Sequence, residues 1–585
     1  MNKYDRLKTL LTECEYIVPS YTYYGGLSGF QDFGILGTKL KNKLLDLWRN
    51  AFIENSELNI YEVDAPTIVP FDILKASGHV DNFTDYIVQD SNKRIFRADT
   101  ILKQYYKENG MVDLIDLVNG WNAEKIQQEI IKYNVLNDPS NNFLQVKPRN
   151  LMCTIAACSN TDTGIDFLRP EIAQTIFVNY NRFKNFLKRD VFFGIAQIGK
   201  SYRKEISPVP YTRLREFYQA EIEYFFDPQN DNYDFYENIK NYEIPLLNDN
   251  MQINKKPTKI MKVSDAIDNK IISNKLIAYF LVNIHKFALS IGLNKDLVRF
   301  RQHMRTEMAH YALECWDLDV LINDDWLECV GVANRGSYDL QSHSTTNSES
   351  HSLTARRKLI NPIIEAKLKI IPNKKIIGEK YKELTSTIID HFSKLNQQEI
   401  LNMSNLLDVK DSIYICINES MYIITKDMLQ ILQVHNKIEY EDYYPNIIEP
   451  SFGIDRIIYA LLVHTYWERN STDNKIKPVL SLPYKLSPYH IAIFPQFNEN
   501  KMNVITNNLI TNLKSKNLNI YTDKSAANIG KKYIRSDEIG IKYAITIDPE
   551  TINDNCVTVR TRDDMSQIRI NIDDLINSDY KKIFC

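Results

Sequence analysis

The spacing of apolar residues along the chain predicts a mixture of helices and strands. Residues 37–52 form a helix-like run, and residues 276–293 repeat apolar side chains at helical spacing. The second of these segments contains Asn283, His285 and Lys286, so we interpret it as an amphipathic core helix that does not span a membrane. Strands are predicted from short apolar runs at residues 60–68, 191–198 and 217–226.

The remaining segments predict insertions and a separate C-terminal unit. Residues 102–133 form a charged helical block, and residues 358–407 form an inserted mixed unit. Residues 341–352 are rich in Ser, Thr, His and Asn and predict an exposed loop, whereas residues 474–478 predict a polar linker. A β–α–β order follows and indicates a small α/β domain, with strands at residues 490–496, 517–523 and 543–549 and a helix at 503–516.

Composition narrows the functional classes without choosing one. The chain has 585 residues, enough for three or four domains at about 150 residues each. Its formal net charge is −3, so any site for a polyanion must be a local patch. The eight cysteines contain no C-x-x-C pair, and the first residues mix both charges without an apolar run. These features favour a cytoplasmic protein with reduced thiols, and a mitochondrial form stays open.

One group of candidate functional residues lies at the mouth of a predicted hairpin. An apolar strand ends in Arg203, Lys204 and Glu205, and a proline-containing loop follows. The next strand opens with Arg213, Leu214, Arg215, Glu216 and Phe217 and carries Glu221 and Glu223. Guanidinium groups can bind phosphate through two hydrogen bonds, and an aromatic ring can stack on adenine. A solvated hairpin with cross-strand Arg–Glu pairs explains the same residues equally well.

A second group lies at a strand-to-helix junction. Glu449, Pro450 and Ser451 end an apolar strand, and Gly453 and Arg456 precede an amphipathic helix. An arginine at such a junction can reach a phosphate beside the helix N-terminus. A capped core helix with an exposed arginine is the alternative.

Together, the two groups match motifs 2 and 3 of the class II aminoacyl-tRNA synthetases, in the right order. The whole chain then resembles the dimeric, eukaryotic/archaeal-type glycyl-tRNA synthetases, from about Tyr24 to Ile570. The resemblance is carried by the blocks YGGLSGFQDFGILGTKLKNKLLDLW, VPFDILKASGHVDNFTD, IFRAD, FLRPEIAQTIF, RFRQHMRTEMAHYALECWD, WLECVGVANRGSYDL and IGKKYIRSDEIGIKYAITID.

The resemblance implies an α+β fold, in which helices flank an antiparallel sheet. It implies a class II catalytic domain over residues 1–477 and an α/β anticodon-binding domain over residues 478–585. Insertions are expected at about residues 100–145, 226–295 and 341–440. Motif 1, at about residues 37–70, is the dimer interface in the class, so a homodimer is expected.

The resemblance also assigns roles in ATP binding. Arg203 and Arg456 correspond to the catalytic arginines at the α-phosphate and at the ATP tail. Arg213 corresponds to the γ-phosphate arginine and Phe217 to the ring stacked on adenine. The implied ATP-binding residues are Arg203, Lys204, Glu205, Arg213, Leu214, Phe217, Glu328, Cys329 and Arg456, and Glu328 is the implied ligand of Mg²⁺.

Glycine binding is implied for a second set of residues: Glu171, Glu221, Glu449, Pro450, Ser451 and Arg335. Three carboxylates around one ammonium attract it and fill the space that a larger side chain would need. Arg335 is the less certain member and is expected at the substrate carboxylate. His79 is expected near the acceptor end of tRNA, and His303 is interpreted as a structural histidine. Lys531, Lys532, Arg535 and Arg562 form either an anticodon patch or a solvated face.

The resemblance implies a glycine–tRNA ligase with ATP, Mg²⁺, glycine and tRNA(Gly) as its substrates and partners and without a membrane. Two alternatives remain: a class II ligase for threonine, proline or histidine, and a non-catalytic relative such as a polymerase accessory subunit. In the family, motif 3 usually reads Gly-x-Gly-Arg. Here Asp455 takes the place of the second glycine, immediately before Arg456. Asp455 either approaches the triphosphate or caps the helix that begins at Arg456, and the helix start favours the cap.

Overall fold

The computed structural model describes residues 2–137, 145–158, 164–309, 311–346, 352–470 and 476–577. The chain forms two compact units, one of residues 1–353 with 444–585 and one of residues 354–443. Its helices are α1 (Lys3–Glu13), α2 (Ile35–Arg49), α3 (Phe71–Ala76), α4 (His79–Asn82), α5 (Ala98–Glu108), α6 (Ala123–Tyr133), α7 (Gln174–Phe177), α8 (Tyr180–Leu187), α9 (Tyr236–Ile239), α10 (Asp249–Ile253), α11 (Val263–Asp268), α12 (Lys275–Ser290), α13 (Tyr338–Thr346), α14 (Lys374–Tyr381), α15 (Thr385–Ser393), α16 (Gln397–Val409), α17 (Ile454–Thr465), α18 (Asn500–Ser515), α19 (Ile529–Glu538), α20 (Thr551–Asp554) and α21 (Ile572–Asn577).

Most of the strands are short, and the longest are those of the predicted hairpin, the neighbouring strands Glu314–Ile322 and Asp325–Gly336, and the ribbon of the second unit. They are β1 (Ile17–Pro19), β2 (Gln31–Phe33), β3 (Ile60–Val63), β4 (Ile68–Pro70), β5 (Thr84–Gln89), β6 (Ile95–Arg97), β7 (Lys147–Asn150), β8 (Cys153–Ala156), β9 (Ile165–Leu168), β10 (Phe193–Tyr202), β11 (Glu216–Phe226), β12 (Glu243–Leu247), β13 (Lys259–Lys262), β14 (Val298–Gln302), β15 (Glu314–Ile322), β16 (Asp325–Gly336), β17 (Ala355–Pro372), β18 (Ser412–Ile417), β19 (Ser420–Thr425), β20 (Leu429–Tyr443), β21 (Asn446–Gly453), β22 (Tyr466–Asn470), β23 (Ile476–Leu480), β24 (Ile491–Pro495), β25 (Ile520–Tyr521), β26 (Tyr543–Ile547), β27 (Cys556–Thr561) and β28 (Gln567–Asn571).

A nine-stranded, mostly antiparallel sheet organises the first unit. Its strand order is β13-β12-β14-β15-β16-β21-β11-β10-β3. Strands β10 and β11 form the predicted hairpin, in register from Phe193 opposite Phe225 to Tyr202 opposite Glu216. Strand β11 pairs with β21 on its other edge, so the two predicted groups of functional residues lie on neighbouring strands.

Helices cover both faces of this sheet. Helices α2, α12 and α17 share one apolar core with Ala220, Ile222 and Tyr224 of β11. Side chains of a strand alternate between faces, and Phe225 accordingly joins the opposite core with α7 and α8. Glu221 and Glu223 follow the same alternation as Phe225, which places two carboxyl groups on a buried face.

The structure corrects three expectations about local elements. The strand predicted at residues 60–68 is two strands, β3 and β4, because Pro66 lies between them and cannot donate to a strand ladder. Residues 341–346 are helical rather than a loop, and His343 is buried with its Nε2 atom 2.9 Å from Oε1 of Gln174. Residues 347–351 lie outside the described residues.

The third correction concerns the predicted linker at residues 474–478. Strand β23 begins at Ile476 and pairs with β22, so this part of the segment is a β-hairpin. Residues 471–475 lie outside the described residues.

The charged block at residues 102–133 is helical but divided, because α5 ends before Gly110, whose φ of +71° interrupts a helix.

The C-terminal part of the first unit contains the predicted β–α–β order. Strands β24 and β25 pair in parallel through α18, within a five-stranded sheet of order β25-β24-β26-β27-β28. Buried ion pairs join this sheet to the β22–β23 hairpin. Both Arg560 and Arg469 bind the buried carboxylate of Asp537, at 2.9 Å and 2.8 Å respectively.

The second unit, residues 354–443, is a long antiparallel ribbon of β17 and β20 with three helices and a hairpin. Its own core contains Ile377 of α14, Ile388 and Phe392 of α15, Met403 of α16 and Ile415 of β18. The ribbon is paired at its base, where Ala355 lies opposite Tyr443. Within the described part of the chain, none of the helices combines the length and the apolar character that a bilayer crossing demands.

Candidate active site

A cavity of about 230 Å³ lies at the mouth of the β10–β11 hairpin, where β16, β21 and α17 approach it. It brings together most residues that the sequence predicts for ATP: Arg203, Glu205, Arg213, Leu214, Phe217, Glu328, Cys329 and Arg456. Lys204 is exposed and does not line the cavity. A larger and more open concavity of about 910 Å³ lies around β12 and β13 and contains none of the predicted site residues.

Arg203 lies between two aromatic rings. Its guanidinium carbon is 5.3 Å from the centre of the Phe217 ring and 5.2 Å from that of Phe83. Its Nε donates to the carbonyl of Pro170 at 3.3 Å. Guanidinium groups are attracted to ring faces, so these rings fix the arginine while leaving its other nitrogen atoms for an anion.

Arg456 joins the start of α17 to two other elements of the cavity. Its Nε donates to the carbonyl of Thr212 at 2.8 Å, and its Nη1 donates to the carbonyl of Glu328 at 2.9 Å. The same Nη1 lies 3.5 Å from Oε1 of Glu328. Helix α17 also holds the loop between β10 and β11, residues 203–215, which we call the motif 2 loop. The rings of Tyr459 in α17 and Tyr211 in this loop stack with centres 4.6 Å apart.

Arg213 lies in a crowded cationic corner. Burial and the neighbouring charge of Arg97 lower the pKa of its guanidinium. Arg97 itself is paired with Asp85 at 2.9 Å and Asp99 at 2.7 Å. Arg213 has one weak side-chain contact, from Nη1 to the hydroxyl of Thr100 at 3.4 Å. An anion bound at Arg213 would therefore offset the repulsion between the charges of Arg213 and Arg97.

The predicted glycine-binding residues form a buried cluster of carboxyl groups beside this cavity. Oε2 of Glu221 accepts from the backbone N–H of Ile172 at 2.9 Å, and its Oε1 accepts from the Ser451 hydroxyl at 2.7 Å. Glu171 lies 3.2 Å from Nε2 of His79 and accepts from Gln174 at 3.0 Å. Pro450 is buried in β21 between Glu449 and Ser451.

Arg335 is the cation at the centre of this cluster. Its Nε and Nη2 donate to both oxygens of Asp339, at 2.8 Å and 3.0 Å, and its Nη1 donates to Glu449. Its guanidinium carbon is 3.8 Å from the centre of the Tyr311 ring. All three nitrogen atoms of Arg335 therefore have protein partners, and the residue holds Glu449 in place.

The cluster has more carboxyl groups than cations. Burial would raise the pKa of Glu171, but His79 and Arg335 outweigh it and hold this pKa well below its usual range. Burial and Glu171 raise the pKa of Glu221. Burial, together with Glu221 and Glu171, raises the pKa of Glu449 to about 8 in spite of Arg335. The site is therefore prepared for a cation that would compensate this excess of negative charge.

Glu223 is the member of this cluster that sequence reasoning did not select. It is fully buried, and neither of its oxygens has a hydrogen-bond partner among the described residues. A carboxylate oxygen of Glu223 lies within 4.8 Å of those of Glu221 and Glu449. Burial and the charge of Glu449 raise its pKa well above the ordinary value. The sequence does contain a signal for Glu223. Side chains two residues apart on a strand share a face, so Glu223 lies on the same face of β11 as Glu221.

The two histidines singled out from the sequence are both paired. His79 contacts Glu171, as described above, and lies in the carboxyl cluster. Nε2 of His303 is 2.6 Å from Oδ2 of Asp317 on β15.

The structure removes two of the four basic residues of the C-terminal domain from both the predicted anticodon patch and the solvated face. Arg562 is buried and bound to Asp563 and to the carbonyls of Leu482 and Gly540. Lys532 is buried as well, and Arg535 is paired with Asp523 at 2.7 Å. Of the four residues, Lys531 alone is exposed without such a pairing in the described part of the chain.

Comparison with known proteins agrees with this arrangement. The family described as an anticodon binding domain matches residues 490–578. Glycine–tRNA ligase 2 of Saccharomyces cerevisiae is 35% identical over 593 residues, covering 98% of this chain and 94% of that protein. Glycine–tRNA ligase of Methanocaldococcus jannaschii is 36% identical over 589 residues, covering 99% and 98% of the two chains. The chain belongs to the glycine–tRNA ligase family.

Solved structures support the fold of this glycine–tRNA ligase family member. Prolyl-tRNA synthetase of Giardia lamblia in complex with prolyl-adenylate aligns with a TM-score of 0.52 at 12% identity, over 98% of this chain and 74% of that one. Prolyl-tRNA synthetase of Cryptosporidium parvum complexed with halofuginone and AMPPNP aligns with a TM-score of 0.51 at 11% identity, over 99% and 75%. The predicted α+β class II fold with a C-terminal anticodon-binding domain is confirmed.

In this ligase, the structure corrects the interpretation of Asp455. Helix α17 begins at Ile454 and its N-cap is Gly453, so Asp455 lies within the first turn and does not cap the helix. The carboxylate is buried and accepts from the backbone N–H of Tyr218 at 2.6 Å. The expectation failed because the helix starts two residues earlier than the sequence suggested.

Proposed function

We propose that the protein is a glycine–tRNA ligase that activates glycine with ATP to glycyl-adenylate, releases pyrophosphate, and transfers glycine to the 3′ end of tRNA(Gly). The observation that carries this proposal is the contact between the two parts of the site. Ser451 lines the arginine-rich cavity and donates to Glu221 of the carboxyl cluster. The carboxyl cluster proposed for the amino acid thus lies directly beside the cavity proposed for the phosphates.

ATP binding would use the cations of the cavity. Arg203 would contact the α-phosphate, with adenine stacked on Phe217, and Arg213 and Arg456 would contact the outer phosphates. The carboxylate of glycine attacks the α-phosphorus in line, and pyrophosphate leaves. This chemistry requires positioning and charge neutralisation more than a protein nucleophile. Arginines fixed by rings and carbonyls supply both.

The residues of the cavity also fit a magnesium ion. The carboxylate of Glu328 faces the cavity, and about half of its side chain is exposed, 54%. Mg²⁺ prefers oxygen ligands and commonly binds one or two carboxylates together with substrate phosphates. When bound, the ion would neutralise charge on the triphosphate. Glu328 would hold it, while Arg456, 3.5 Å away, orients that carboxylate.

Glycine recognition would depend on charge and on lack of space. Glu171, Glu221 and Glu449 would surround the substrate ammonium, with Ser451 beside Glu221 and with Pro450 between Glu449 and Ser451 on β21. Arg335 would support the pocket through Glu449. It would also contact the carboxylate of glycine. A pocket already filled by protein atoms excludes any amino acid with a larger side chain.

Transfer to tRNA would involve the C-terminal part of the chain. The match of residues 490–578 to an anticodon binding domain supports a domain division near residue 477, with tRNA(Gly) as partner. Free thiols at the seven described cysteines suit a cytoplasmic enzyme.

A homodimer is supported by apolar side chains left exposed just before motif 1. Tyr23 and Tyr24 are 92% and 87% exposed, and Tyr21, Leu27 and Ile35 add to the same segment. Exposed apolar groups at such density are typical of protein interfaces. Sedimentation of the purified protein measures this directly, and a monomer at micromolar concentration would contradict it.

ATP–pyrophosphate exchange, measured separately with each amino acid, tests the proposed function. We expect exchange with glycine, and at least about a hundredfold less with alanine or serine. Exchange with threonine, proline or histidine instead would identify another class II ligase. No exchange with any amino acid, in a folded protein, would favour a non-catalytic relative. Charging of tRNA(Gly) with labelled glycine tests the second step.

A further inference from the structure

Asp455 and Gln31 join three backbone segments around the cavity. Asp455 is only 5% exposed. Its Oδ2 accepts from the N–H of Tyr218 on β11 at 2.6 Å, and its Oδ1 accepts from Nε2 of Gln31 at 3.4 Å. The other end of the Gln31 amide accepts from the N–H of Tyr211 in the motif 2 loop at 3.2 Å.

The bond to Tyr218 replaces a missing strand partner. Strand β21 pairs with β11 up to Gly453, which lies opposite Gln219. There the chain of β21 turns into α17, so the first residues of β11 have no neighbour on this side. A buried backbone N–H without a partner is costly. The carboxylate of Asp455 accepts that hydrogen and so continues the ladder by one bond.

The three attachments lie beside residues of the proposed ATP site or beside a contact that holds one of them. Tyr218 follows Phe217, the ring proposed to stack on adenine. Tyr211 precedes Thr212, whose carbonyl accepts from Nε of Arg456. Asp455 itself precedes Arg456. The ring and the loop are neighbours in sequence, whereas the arginine is far from both, and the contacts of Gln31 and Asp455 set their relative positions.

We propose that Gln31 and Asp455 are positioning residues for ATP, which act by fixing Phe217, the motif 2 loop and Arg456 relative to one another. The proposal rests on the proposed function of the cavity. It differs from a capping role, because the N-cap of α17 is Gly453 and the carboxylate of Asp455 is bound to the strand β11. It also differs from a repulsive role toward phosphate, because both carboxylate oxygens already accept hydrogen bonds.

Charged groups near the pair do not provide the same support. Lys41 of α2 is the cation that acts on Asp455, and its ammonium lies 3.9 Å from the centre of the Tyr218 ring. Lys200 of β10 lies 5.4 Å from the same ring. Neither donates to Tyr211 or replaces the bond to the Tyr218 N–H. The neutral amide of Gln31 thus links the loop to Asp455, and Asp455 in turn binds the strand.

The test compares Asp455→Ala, Asp455→Asn and Gln31→Ala in the full chain. ATP affinity is measured by titration calorimetry without amino acid, and the Michaelis constants for ATP and glycine are measured by pyrophosphate exchange. We expect Asp455→Ala and Gln31→Ala to weaken ATP binding about fivefold or more, with the Michaelis constant for glycine within about twofold of wild type. Asp455→Asn keeps an acceptor for Tyr218, but its NH₂ group cannot accept from Gln31, so its ATP affinity should lie between those of wild type and Asp455→Ala.

Gln252→Ala is the matched control, because Gln252 also joins separate elements through its amide but contacts Gln302 and not the cavity. It should leave all three constants unchanged. Equal changes in both Michaelis constants, or a lower melting temperature with unchanged ATP affinity, would overturn the proposal. If Asp455→Ala fails to fold, Gln31→Ala decides. A wild-type protein that binds ATP but shows no exchange with glycine would refute the proposed function, while calorimetry would still decide the positioning role.

Discussion

The hydroxyl of Ser451 donates to Oε1 of Glu221 at 2.7 Å, across the antiparallel pairing of β21 and β11. The two residues face each other directly in the ladder, so their side chains share one face of the sheet. Ser451 also lines the cavity of the arginines. The proposed amino acid site and the proposed ATP site are therefore in direct contact, which is the proximity that attack of a carboxylate on a phosphate requires.

Glu221 and Glu223 should respond differently to the same substitution. Glu221 has three hydrogen-bond donors, which favour its carboxylate form, whereas Glu223 has no partner in the described residues. Burial raises the pKa of both groups, that of Glu223 well above its ordinary value. We expect Glu221→Gln to lower glycine-dependent exchange by about a hundredfold. Glu223→Gln replaces a neutral acid with a neutral amide and should stay within about threefold. The two variants are matched controls for each other, and equal losses would refute the assignment of charge.

Glycine binding should strengthen with rising pH. The pKa of Glu449 is raised to about 8 by burial and by neighbouring carboxylates. In the free enzyme this group is therefore mostly protonated below that pH, and an ammonium ion binds the ionised form. The Michaelis constant for glycine should fall several-fold between pH 6.5 and 8.5, by at most about tenfold per pH unit. The constant for ATP serves as the control, and a glycine constant that rises with pH would contradict this pKa.

Arg456 should be essential for activation of glycine. It binds two carbonyls and lies beside Glu328, so its position is fixed before any ligand arrives. Losing one charge-assisted contact to phosphate costs on the order of 3 kcal/mol in the transition state, so Arg456→Ala should reduce exchange by about two decades. Arg357→Ala, in the second unit, removes an arginine paired with Glu441 and should leave exchange unchanged. Near-normal exchange in folded Arg456→Ala would exclude the proposed role.

The sequence predicted the parts of the site that lie in continuous segments. Arg203 and Phe217 frame one hairpin, and Ser451 and Arg456 frame one strand-to-helix junction, so local patterns and family resemblance were sufficient. Glu223 was missed because the sequence cannot tell which of two carboxyl groups on a face finds hydrogen-bond donors. Those donors, such as Ile172 and Ser451, come from distant segments.

The wrong expectations have the same physical origin. The polar composition of residues 341–346 predicts a loop, but His343 is buried by a contact with Gln174, which lies 169 positions away. Arg562 was assigned to a surface patch because arginine is usually exposed, yet carbonyls of Leu482 and Gly540 satisfy it inside the protein. Tertiary contacts override composition where a polar side chain finds buried partners.

Asp537 should be important for stability. Its buried carboxylate binds Arg560 through two hydrogen bonds and Arg469 through a third. Asp537→Ala leaves two guanidinium groups without this partner, at a cost of about 3 kcal/mol or more, and should lower the melting temperature by several degrees. Asp46→Ala removes an exposed carboxylate with one long contact, at 3.4 Å, and should have almost no effect. Melting curves of the two variants and wild type decide this, and similar curves for all three would show that the buried network is not stabilising.

The two strands that connect the second unit begin and end as hydrogen-bonded neighbours, since Ala355 lies opposite Tyr443. A segment attached in this way keeps the same distance between its ends whatever its length. Mutations that lengthen, shorten or replace residues 358–440 therefore leave the flanking chain undisturbed, and selection can act on this region separately from the rest. The same property makes the position suitable for a genetically encoded fluorescent reporter or affinity tag.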